Sequence, residues 1–248
     1  MLNISWLILT LNRFEKSSIV IPHNRENAGY PVKELVWVDN GSTDGIRDFM
    51  ASLKPNVSVL YDHNTGVARG YNTAMVMSTG DWMVITGNDM IMPDNWLGLF
   101  AKYIENIPNT HAVSMYHKPT DQCPERLRGE RVVENGLELI NAQAMGRRIY
   151  SRALLKKAGY LREDFGLYGW EDVEWAHRTE RVCRENSWRT YVIPDLVPKT
   201  LEHFQGIETD KYDNTVYVDF KRKEGDDPDK RKLFQWYYDN NTPYFSPF

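Results

Sequence analysis

Four short apolar segments of the sequence each end in, or are followed by, polar residues suited to ligand binding. The apolar segments span residues 4–11, 35–38, 57–61 and 82–86. The polar residues singled out at these places are Thr10, Asn12, Arg13, Asp39, Asn40, Arg69, Asn88 and Asp89. Because loops after strands are often polar, one such group would mean little, but four in succession predict a ligand crevice.

These residue types can bind the parts of a nucleotide and its phosphates. The carboxylate of Asp39 or the amide of Asn40 can pair with the edge of a nucleobase. Arg13 and Arg69 can face a phosphate or a base. Asp89 can hold a divalent cation through one carboxylate, with diphosphate oxygens and water completing the shell. Turn formation and helix capping explain Asp39 and Asp89 about equally well when each is taken alone.

A second group of chemically capable residues lies later in the chain. Glu171 and Asp172 stand where a helix is predicted to begin, so the helix dipole and free N–H groups favour their ionised forms. An ionised carboxylate is what a general base needs, although acidic residues are also common helix caps. His203 lies 31 positions after Asp172 (203 − 172), and a neutral imidazole is a competent metal ligand. We assign no site role to the other five histidines.

The elements that must position these residues alternate along the first half of the chain. Helical segments are predicted at 44–53 and 67–79, between the apolar runs, with Asp44 as N-cap of the first. The segment after Arg13 is predicted to be part helix and part loop, because Pro22 and β-branched residues interrupt the helical pattern. This alternation predicts an α/β doubly wound fold, in which ligands bind beyond the carboxyl ends of the strands.

The second half continues the pattern less regularly. Helices are predicted from Pro93 to about Glu105, at 151–158 and at 172–185, with strands at 112–116 and 188–193. The polar stretch 118–136 is predicted to be a long loop. The simplest division is a domain at 1–205, with a nucleotide-binding half at 1–92 and an acceptor-binding half at 93–205. A C-terminal tail follows at 206–248, with a charged run from Lys221 to Lys232 predicted to be a solvated connector. The aromatic residues after it are Phe234, Trp236, Tyr237, Tyr238, Tyr244, Phe245 and Phe248.

Composition narrows the class of protein. The 248 residues are 42% hydrophobic and 26% charged, with a net charge of −4, so no overall basic field argues for nucleic-acid binding. The two cysteines, Cys123 and Cys183, imply no disulfide framework. The start lacks the basic leading segment of a signal peptide, and no stretch approaches the roughly 20 apolar residues of a membrane span. We therefore expect a soluble, cytoplasmic protein.

Five segments between about residue 4 and residue 204 together resemble family 2 of the glycosyltransferases, whose members share the GT-A fold. ILTLNR resembles the opening strand and turn, VDNGSTDG the second-strand signature, and NTGVARGYN the segment that closes the nucleotide pocket. STGDWMVITGNDMIMPDNWL resembles the strand that leads into the metal motif. GRRIYSRALLKKAGYLREDFGLYGWEDVEWAHR resembles the acceptor-side block that ends in Glu-Asp.

The resemblance implies an inverting transfer from a nucleotide diphosphate sugar, linked to UDP, dTDP or GDP, to an acceptor hydroxyl. Asp39 and Asn40 would lie at the base, and Asp172 would be the general base, with Glu171 at the acceptor. Asp89 would be the second Asp of the Asp-x-Asp motif that binds Mn²⁺ or Mg²⁺. The implied nucleotide contacts are Thr10, Arg13 and Arg69; the implied second metal ligand is His203. Gly87 replaces the first Asp of the motif, which leaves the metal fewer protein ligands.

Other functions remain open at this stage. A non-catalytic nucleotide- or carbohydrate-binding module would lack a base at position 172 and a metal ligand at position 89. A nucleotidyltransferase would need a Gly-rich basic loop after the first strand, and LTLNRFEK contains no Gly. The expected acceptor is a glycan, a lipid-linked glycan or another hydroxyl, with hydroxylated DNA bases as a less favoured alternative. The basic residues that bear on this choice are interpreted as a solvated face: Arg126, Arg128, Arg131, Arg147, Arg148, Arg152, Lys156, Lys157 and Arg162.

Overall fold

The computed structural model describes residues 1–116, 129–144, 148–200 and 223–245, the side chain of residue 200 excepted. The strands are β1 (Ile4–Thr10), β2 (Glu34–Asp39), β3 (Val57–Leu60), β4 (Trp82–Thr86), β5 (Met90–Ile91), β6 (Thr110–Met115), β7 (Glu130–Glu134), β8 (Leu137–Asn141), β9 (Arg148–Ser151), β10 (Arg189–Ile193) and β11 (Lys199–Thr200). The helices are α1 (Phe14–Glu26), α2 (Ile46–Leu53), α3 (Val67–Met77), α4 (Trp96–Asn106), α5 (Arg152–Ala158), α6 (Glu171–Glu185) and α7 (Pro228–Asn240).

One nine-stranded sheet organises the molecule, in the order β3-β2-β1-β4-β9-β6-β10-β8-β7. The first four strands in this order are parallel to one another, and β9 joins β4 and β6 by antiparallel pairing. Strands β5 and β11 form a separate two-stranded sheet. The predicted α/β fold with a largely parallel sheet and flanking helices is confirmed, with the parallel character concentrated in the first half of the chain.

Alternate side chains of the central strands build a core on each face of the sheet. Trp6 belongs to the cluster under α1, α2 and α4, whereas its neighbour Leu7 belongs to the cluster under α3, α5 and α6. Two buried tryptophans also fix the strand ends. The indole N–H of Trp6 donates to the hydroxyl of Thr86 at 2.7 Å, and that of Trp37 donates to the hydroxyl of Thr10 at 3.0 Å.

Several local predictions were wrong, each because a distant contact decides the local structure. The segment after Arg13 is one helix, α1, that continues through Pro22. The Asn24 side chain links this helix to β5 and to the residue after it. It donates to the Met90 carbonyl at 2.9 Å and accepts from the Met92 N–H at 2.8 Å. The N-cap of α2 is Gly45, in a left-handed conformation, one residue after the predicted Asp44. The Asp44 carboxylate still accepts from the Ile46 N–H, the first of α2, at 3.4 Å, and it also accepts from the Phe14 N–H, at the start of α1, at 2.7 Å.

Two longer segments also differ from expectation. Residues 130–136, expected to lie in the loop 118–136, instead form β7 and the turn of the hairpin β7–β8, in which Asn135 and Gly136 have positive φ. The preceding residues 118–128 lie outside the described part of the chain. The charged run from Lys221 is not simply a solvated connector, because α7 begins inside it at Pro228, with the Asp227 side chain accepting from the Asp229 N–H.

Helix α7 packs on the domain rather than extending from it. Its Tyr237 hydroxyl donates to the Asp164 carboxylate, and its ring contacts Phe165 with centroids 5.9 Å apart. The Arg162 guanidinium lies 3.5 Å from the centroid of the Tyr237 ring and donates to the Thr242 carbonyl at 2.7 Å. The C-terminal segment is therefore attached to the residues that precede Glu171. No helix in the described residues combines the length and apolarity needed to cross a bilayer.

Candidate functional site

The carboxyl ends of β2, β1 and β4 lie side by side. In the parallel register Thr10 of β1 pairs with Asp39 of β2, and Ile8 of β1 pairs with Thr86 of β4. The loops that follow these strands therefore meet at one edge of the sheet, as ligand-binding loops do in doubly wound folds. This register brings the polar residues of distant sequence segments together.

Asp39 lies beneath this edge and is fully buried. One carboxylate oxygen accepts from the Thr10 hydroxyl at 3.2 Å. The other accepts from the Ser42 N–H at 3.1 Å and from Arg47 Nε at 2.9 Å. A buried carboxylate needs such partners, because an unpaired buried charge is costly. Asp39 and Thr10 thus shape the loop after β2, and neither side chain lines the cavity above them.

Asn12 and Asn40 hold neighbouring loops through hydrogen bonds. The Asn12 side-chain oxygen accepts from the Thr43 N–H at 2.8 Å, and the Asn12 backbone N–H donates to the Ser42 hydroxyl at 2.7 Å. The Asn40 amide nitrogen donates to the Asn64 side chain at 2.8 Å and to the backbone of the loop that precedes α3. Asn40 lines the cavity, whereas Asn12 lies outside its lining.

A cavity of about 330 Å³ opens above the strand ends and continues to the start of α6. Both predicted groups, the one after the early strands and the one at the helix start, contribute to its wall. The described residues that line it are Leu9, Leu11, Arg13, Asn40, Asn64, Val67, Tyr71, Ile85, Gly87, Asn88, Asp89, Arg148, Leu161, Leu167, Tyr168, Gly169, Glu171 and Asp172. The two groups are thus parts of one site.

Asp89 and Arg13 form the end of the cavity next to β4. Their side chains are close, with Arg13 Nη1 3.7 Å from Asp89 Oδ2. The Asn88 amide nitrogen donates to the Ser17 hydroxyl at 2.9 Å, so the amide oxygen is the Asn88 side-chain atom left to bind a cation. Carboxylate and amide oxygens suit Mg²⁺ or Mn²⁺. Within the described residues no cluster of three His, Cys, Asp or Glu side chains could enclose a metal.

Glu171 and Asp172 form the opposite end, in the first turn of α6. Glu171 is buried, and burial together with the adjacent charge of Asp172 raises the pKa of its carboxyl to about 7. Hydrogen bonds from the backbone N–H groups of Gly169 and Glu171 oppose this rise in pKa, as does the charge of Lys230. The two carboxyls therefore differ: the pair shares one cavity wall, but Glu171 is the buried member and Asp172 is only partly covered.

Arg148 was placed with the solvated basic residues, and that interpretation is wrong. It begins β9, is 3% exposed and lines the cavity. Its guanidinium lies 4.4 Å from the centroid of the Trp175 ring, and Nη1 donates to the Ala144 carbonyl at 3.2 Å. Burial lowers the pKa of Arg148, and the negative charge of Asp172 is the largest opposing influence. Its Nε is buried and has no hydrogen-bond partner among the described atoms.

Two more basic residues of that group are also turned inward. Arg162 is 4% exposed at its side chain, and Arg152 donates to the Gly80 carbonyl at 2.7 Å and to the Ser78 carbonyl at 2.8 Å. The one sequence signal that could have identified Arg148 is its position two residues before Tyr150 in a short apolar strand, which puts both side chains on the core face.

Arg69, like Thr10, Asn12 and Asp39, is a predicted site residue that does not line the cavity. It pairs with Glu163, with Nη1 3.1 Å from Oε2. His203 lies outside the described residues, so its predicted role as a metal ligand stays a prediction. Cys183 is buried and free, and burial raises the pKa of its thiol to about 12, which is unsuited to nucleophilic chemistry.

Comparison with known proteins agrees with this architecture. The sequence profile described as "Glycosyl transferase family 2" matches residues 5–165, which is more than half of the chain. The chain belongs to glycosyl transferase family 2. The matched part contains the carboxyl ends of β1, β2, β3 and β4, and it stops before the Glu171–Asp172 pair. No curated protein matches the sequence significantly.

Solved structures show that this family 2 chain has the GT-A fold, as predicted. TarS residues 1–349 of S. aureus superpose with a TM-score of 0.60 at 18% identity, over 79% of this chain and 59% of that one. The TarS 1–349 complex with UDP-GlcNAc gives 0.60 at 17%, over 84% and 62%. The mannosyltransferase PcManGT of Pyrobaculum calidifontis, in complex with GDP-Man and Mn²⁺, gives 0.59 at 22%, over 85% and 59%. The chain thus spans less than two thirds of each of these structures.

Proposed function

We propose that the chain is a metal-dependent, inverting glycosyltransferase that moves a sugar from a nucleotide diphosphate to an acceptor hydroxyl. The observation that carries the proposal is the single cavity with a cation-binding carboxylate, Asp89, at one end and the Glu171–Asp172 pair at the other. Membership in glycosyl transferase family 2 supports the reaction class. A non-catalytic binding module would require neither end.

The donor would occupy the end formed by the early strands. Asn40 and Asn64 present amides, and Leu9, Leu11 and Val67 present apolar surface, a combination suited to a nucleoside. Structural relatives contain UDP-GlcNAc and GDP-Man, so the proposed donor is UDP-, dTDP- or GDP-linked. Arg13 lies beside Asp89, where it would bind the diphosphate. In this arrangement Thr10, Asn12 and Asp39 position the nucleotide loops from below, whereas Arg69 supports the wall through Glu163.

Asp89, with the amide oxygen of Asn88 and with His203 as a predicted additional ligand, would hold Mg²⁺ or Mn²⁺. A bound cation supplies Lewis-acid stabilisation of negative charge on a leaving diphosphate. Arg13 adds positive charge at the same place. The remaining requirements, orientation of the donor and exclusion of water, fall to the apolar cavity wall and the loop that carries Leu167 and Tyr168.

Asp172 would accept the proton of the acceptor hydroxyl while the hydroxyl oxygen bonds to the anomeric carbon. The bond from that carbon to the diphosphate oxygen breaks in the same step, which inverts the configuration and needs no covalent enzyme intermediate. Glu171, whose raised pKa keeps a substantial protonated fraction near neutral pH, is suited to hydrogen-bonding the acceptor. The buried Arg148 stabilises negative charge at this end of the cavity.

The acceptor is proposed to be a glycan, a lipid-linked glycan or another hydroxyl. The case for a DNA acceptor depended on a basic face, and Arg148, Arg152 and Arg162 are turned into the protein instead. We propose that the protein acts in the cytoplasm, where nucleotide sugars serve as donors.

A donor screen tests this function. UDP-, dTDP- and GDP-sugars are incubated with Mn²⁺ or Mg²⁺, and hydrolysis of the donor is scored without acceptor, in wild type, Asp89→Ala and Asp172→Asn. We expect hydrolysis of one donor class that depends on the cation and on Asp89. Undiminished turnover in excess EDTA would exclude the metal assignment, and absence of turnover and of binding with all donors would overturn the proposal.

A further inference from the structure

The segment Gly166–Trp170, here called the 166–170 loop, enters α6 through unusual backbone conformations. Gly166 and Gly169 have φ of 83° and 96°, and Trp170 has a φ of 73°. A bulky residue with positive φ is strained and persists only where its surroundings hold it. Because Glu171 and Asp172 follow directly, whatever holds this loop also sets the position of the carboxylate pair.

The inner side of the 166–170 loop is held by the start of α3. The Val67 N–H donates to the Leu167 carbonyl at 3.0 Å. A side chain at Gly66 would place its Cβ 2.9 Å from the Gly166 carbonyl oxygen, so the two backbones are in close contact. Of these residues, Gly66 and Val67 belong to the part of the chain that matches family 2.

The outer side is held by residues far away in sequence. Lys230 Nζ, on α7, donates to the Tyr168 carbonyl at 2.8 Å and to Glu224 Oε2 at 2.7 Å. The Trp170 indole N–H donates to the Gly225 carbonyl at 3.0 Å. A Cβ at Gly169 would lie 3.0 Å from Gly225 Cα, so the two segments are in backbone contact.

An aromatic contact extends the same interface along the helices. The Trp170 and Phe234 rings have centroids 5.3 Å apart, and Phe234 also lies 5.5 Å from the His177 ring of α6. The C-terminal segment therefore contacts the strained residue itself as well as the carbonyl two residues before it.

Lys230 is much less exposed than Lys232 on the same helix. The Lys230 side chain is 11% exposed and that of Glu224 is 25% exposed, so their ion pair is shielded from water. Lys232 pairs with Asp229 at a similar distance, 2.9 Å, but both side chains are about four-fifths exposed. Exposed pairs of that kind contribute little, which makes Lys232 a matched control.

We propose that Lys230 is a positioning residue of the active site, which ties the 166–170 loop to Glu224 and thereby fixes the carboxylate pair at the start of α6. The C-terminal segment 224–234 is then part of the catalytic apparatus although it lies outside the part of the chain that matches the family. The proposal rests on the proposed function for its effect on turnover, whereas its effect on the loop is independent of any activity.

The test compares Lys230→Met, which keeps the aliphatic stem, with Lys232→Met and with the conservative Lys230→Arg, all in the full chain. Backbone hydrogen exchange is followed in peptides that cover residues 166–172. We expect at least tenfold faster exchange there in Lys230→Met, with wild-type exchange in Lys232→Met and partial recovery in Lys230→Arg. Equal exchange in Lys230→Met and Lys232→Met would overturn the proposal, whether or not the protein transfers sugar.

Kinetics with the donor identified by the screen add a second readout. We expect kcat for transfer to fall at least tenfold in Lys230→Met, since small misplacements of catalytic groups are expensive, with KM for the donor changed less than twofold. If Lys230→Met fails to fold, Glu224→Gln removes the same ion pair with less change in shape and should give the same split. A rise in donor KM equal to the loss of kcat would overturn the positioning role. Wild-type inactivity combined with the expected exchange pattern would refute the proposed function alone.

Discussion

The two ends of the cavity are held in place by different means. At the end next to β1, β2 and β4, strand register aligns the loops, and buried polar groups such as Asp39 and Asn40 are hydrogen-bonded by Thr10 of β1 and by residues of the loops after β2 and β3. At the end next to α6, a strained loop is held between α3 and the C-terminal segment. The first end depends on the register of the sheet, and the second depends on contacts that hold a loop outside the sheet, such as that of Lys230 with the Tyr168 carbonyl.

This difference predicts which variants will affect chemistry alone. Changes under the β-strand end should reduce stability or donor affinity, because its predicted residues mostly support loops. Changes at the α6 end should reduce the rate of transfer with smaller effects on donor binding, because its residues surround the reacting hydroxyl in the proposed function. The predictions below test that division, beginning with the largest effect.

Asp172→Asn should have the largest effect. The substitution keeps the shape of the side chain and removes the proton acceptor, so transfer should fall by about 10²–10⁴-fold, the usual contribution of a general base. Donor binding, measured by calorimetry, should change little. Near-normal turnover would return Asp172 to a capping role, and a loss seen only in Glu171→Gln would move the base to Glu171.

Asp89→Ala should affect the opposite end. Loss of the carboxylate that shares a cation with the diphosphate should reduce transfer by about 100-fold or more, since the cation stabilises the charge that develops in the transition state by several kcal/mol. Unlike Asp172→Asn, this variant should also weaken nucleoside diphosphate binding in the presence of Mn²⁺. Titration of binding with and without Mn²⁺ measures the difference, and equal affinities in wild type and variant would contradict the assignment.

Arg148→Met should lower the transfer rate by about 10- to 100-fold, the value of one hydrogen bond to a charged group. The apolar stem still packs on Trp175, but the positive charge beside Asp172 is lost. Arg152→Met is the matched control, because Arg152 is also partly buried and hydrogen-bonded but lies outside the cavity lining. Equal rates in the two variants would show that Arg148 only fills the core.

Glu171→Gln should change the pH dependence of stability. The folded-state pKa of Glu171 is raised to about 7 by burial and by Asp172, above its ordinary value of 4.5, so the folded protein binds the proton more tightly than the unfolded chain. Its contribution to the free energy of unfolding is therefore full below about pH 4.5 and is lost as the pH rises to about 7. The loss is at most about 3 kcal/mol.

Urea denaturation of wild type and Glu171→Gln at pH 4.5 and pH 8 measures this effect. The positive charges of Arg148 and Lys230 also act on this carboxylate pair. We expect the variant to be more stable relative to wild type at pH 8 than at pH 4.5. A constant difference between the two pH values would show that Glu171 titrates normally.

Thr10→Val should have the smallest effect and should act on stability. The change removes the hydroxyl that donates to Asp39 and accepts from Trp37, at a cost of about 1–3 kcal/mol. Because Thr10 does not line the cavity, kcat should stay within about threefold of wild type. A large loss of kcat without loss of stability would mean that Thr10 contacts the donor directly.

Much of the first half of the molecule follows from local sequence. Residues 82–86 were predicted as a strand and form β4, and the α3 helix begins at the predicted residue, Val67. Short β-branched runs that alternate with amphipathic segments carry this information locally, and the strand order then brings their ends together. The GT-A fold was predictable for the same reason, with the motifs giving the family.

The wrong predictions share one physical cause. Pro22 and Asp44 were interpreted by local rules, but α1 is stabilised by Asn24 contacts with residues after β4, and Asp44 bonds to Phe14 as well as to Ile46 of α2. Arg148 was grouped with charged neighbours in sequence, and only the sheet places it over Trp175 inside the cavity. Sequence alone cannot rank such contacts, because the free energy of a buried charge depends on partners that arrive from elsewhere in the chain.

The sequence by itself determined the family, the α/β architecture and the identities of the carboxylates at the two ends of the cavity, because those depend on residue types and spacing within short segments. Only the tertiary structure decided which of the predicted residues line the cavity and which support it from below. It also decided that a buried arginine shares the cavity wall with the carboxylate pair and that α7 contacts the 166–170 loop. These features depend on burial and on contacts between distant segments, which exist only when the chain is folded.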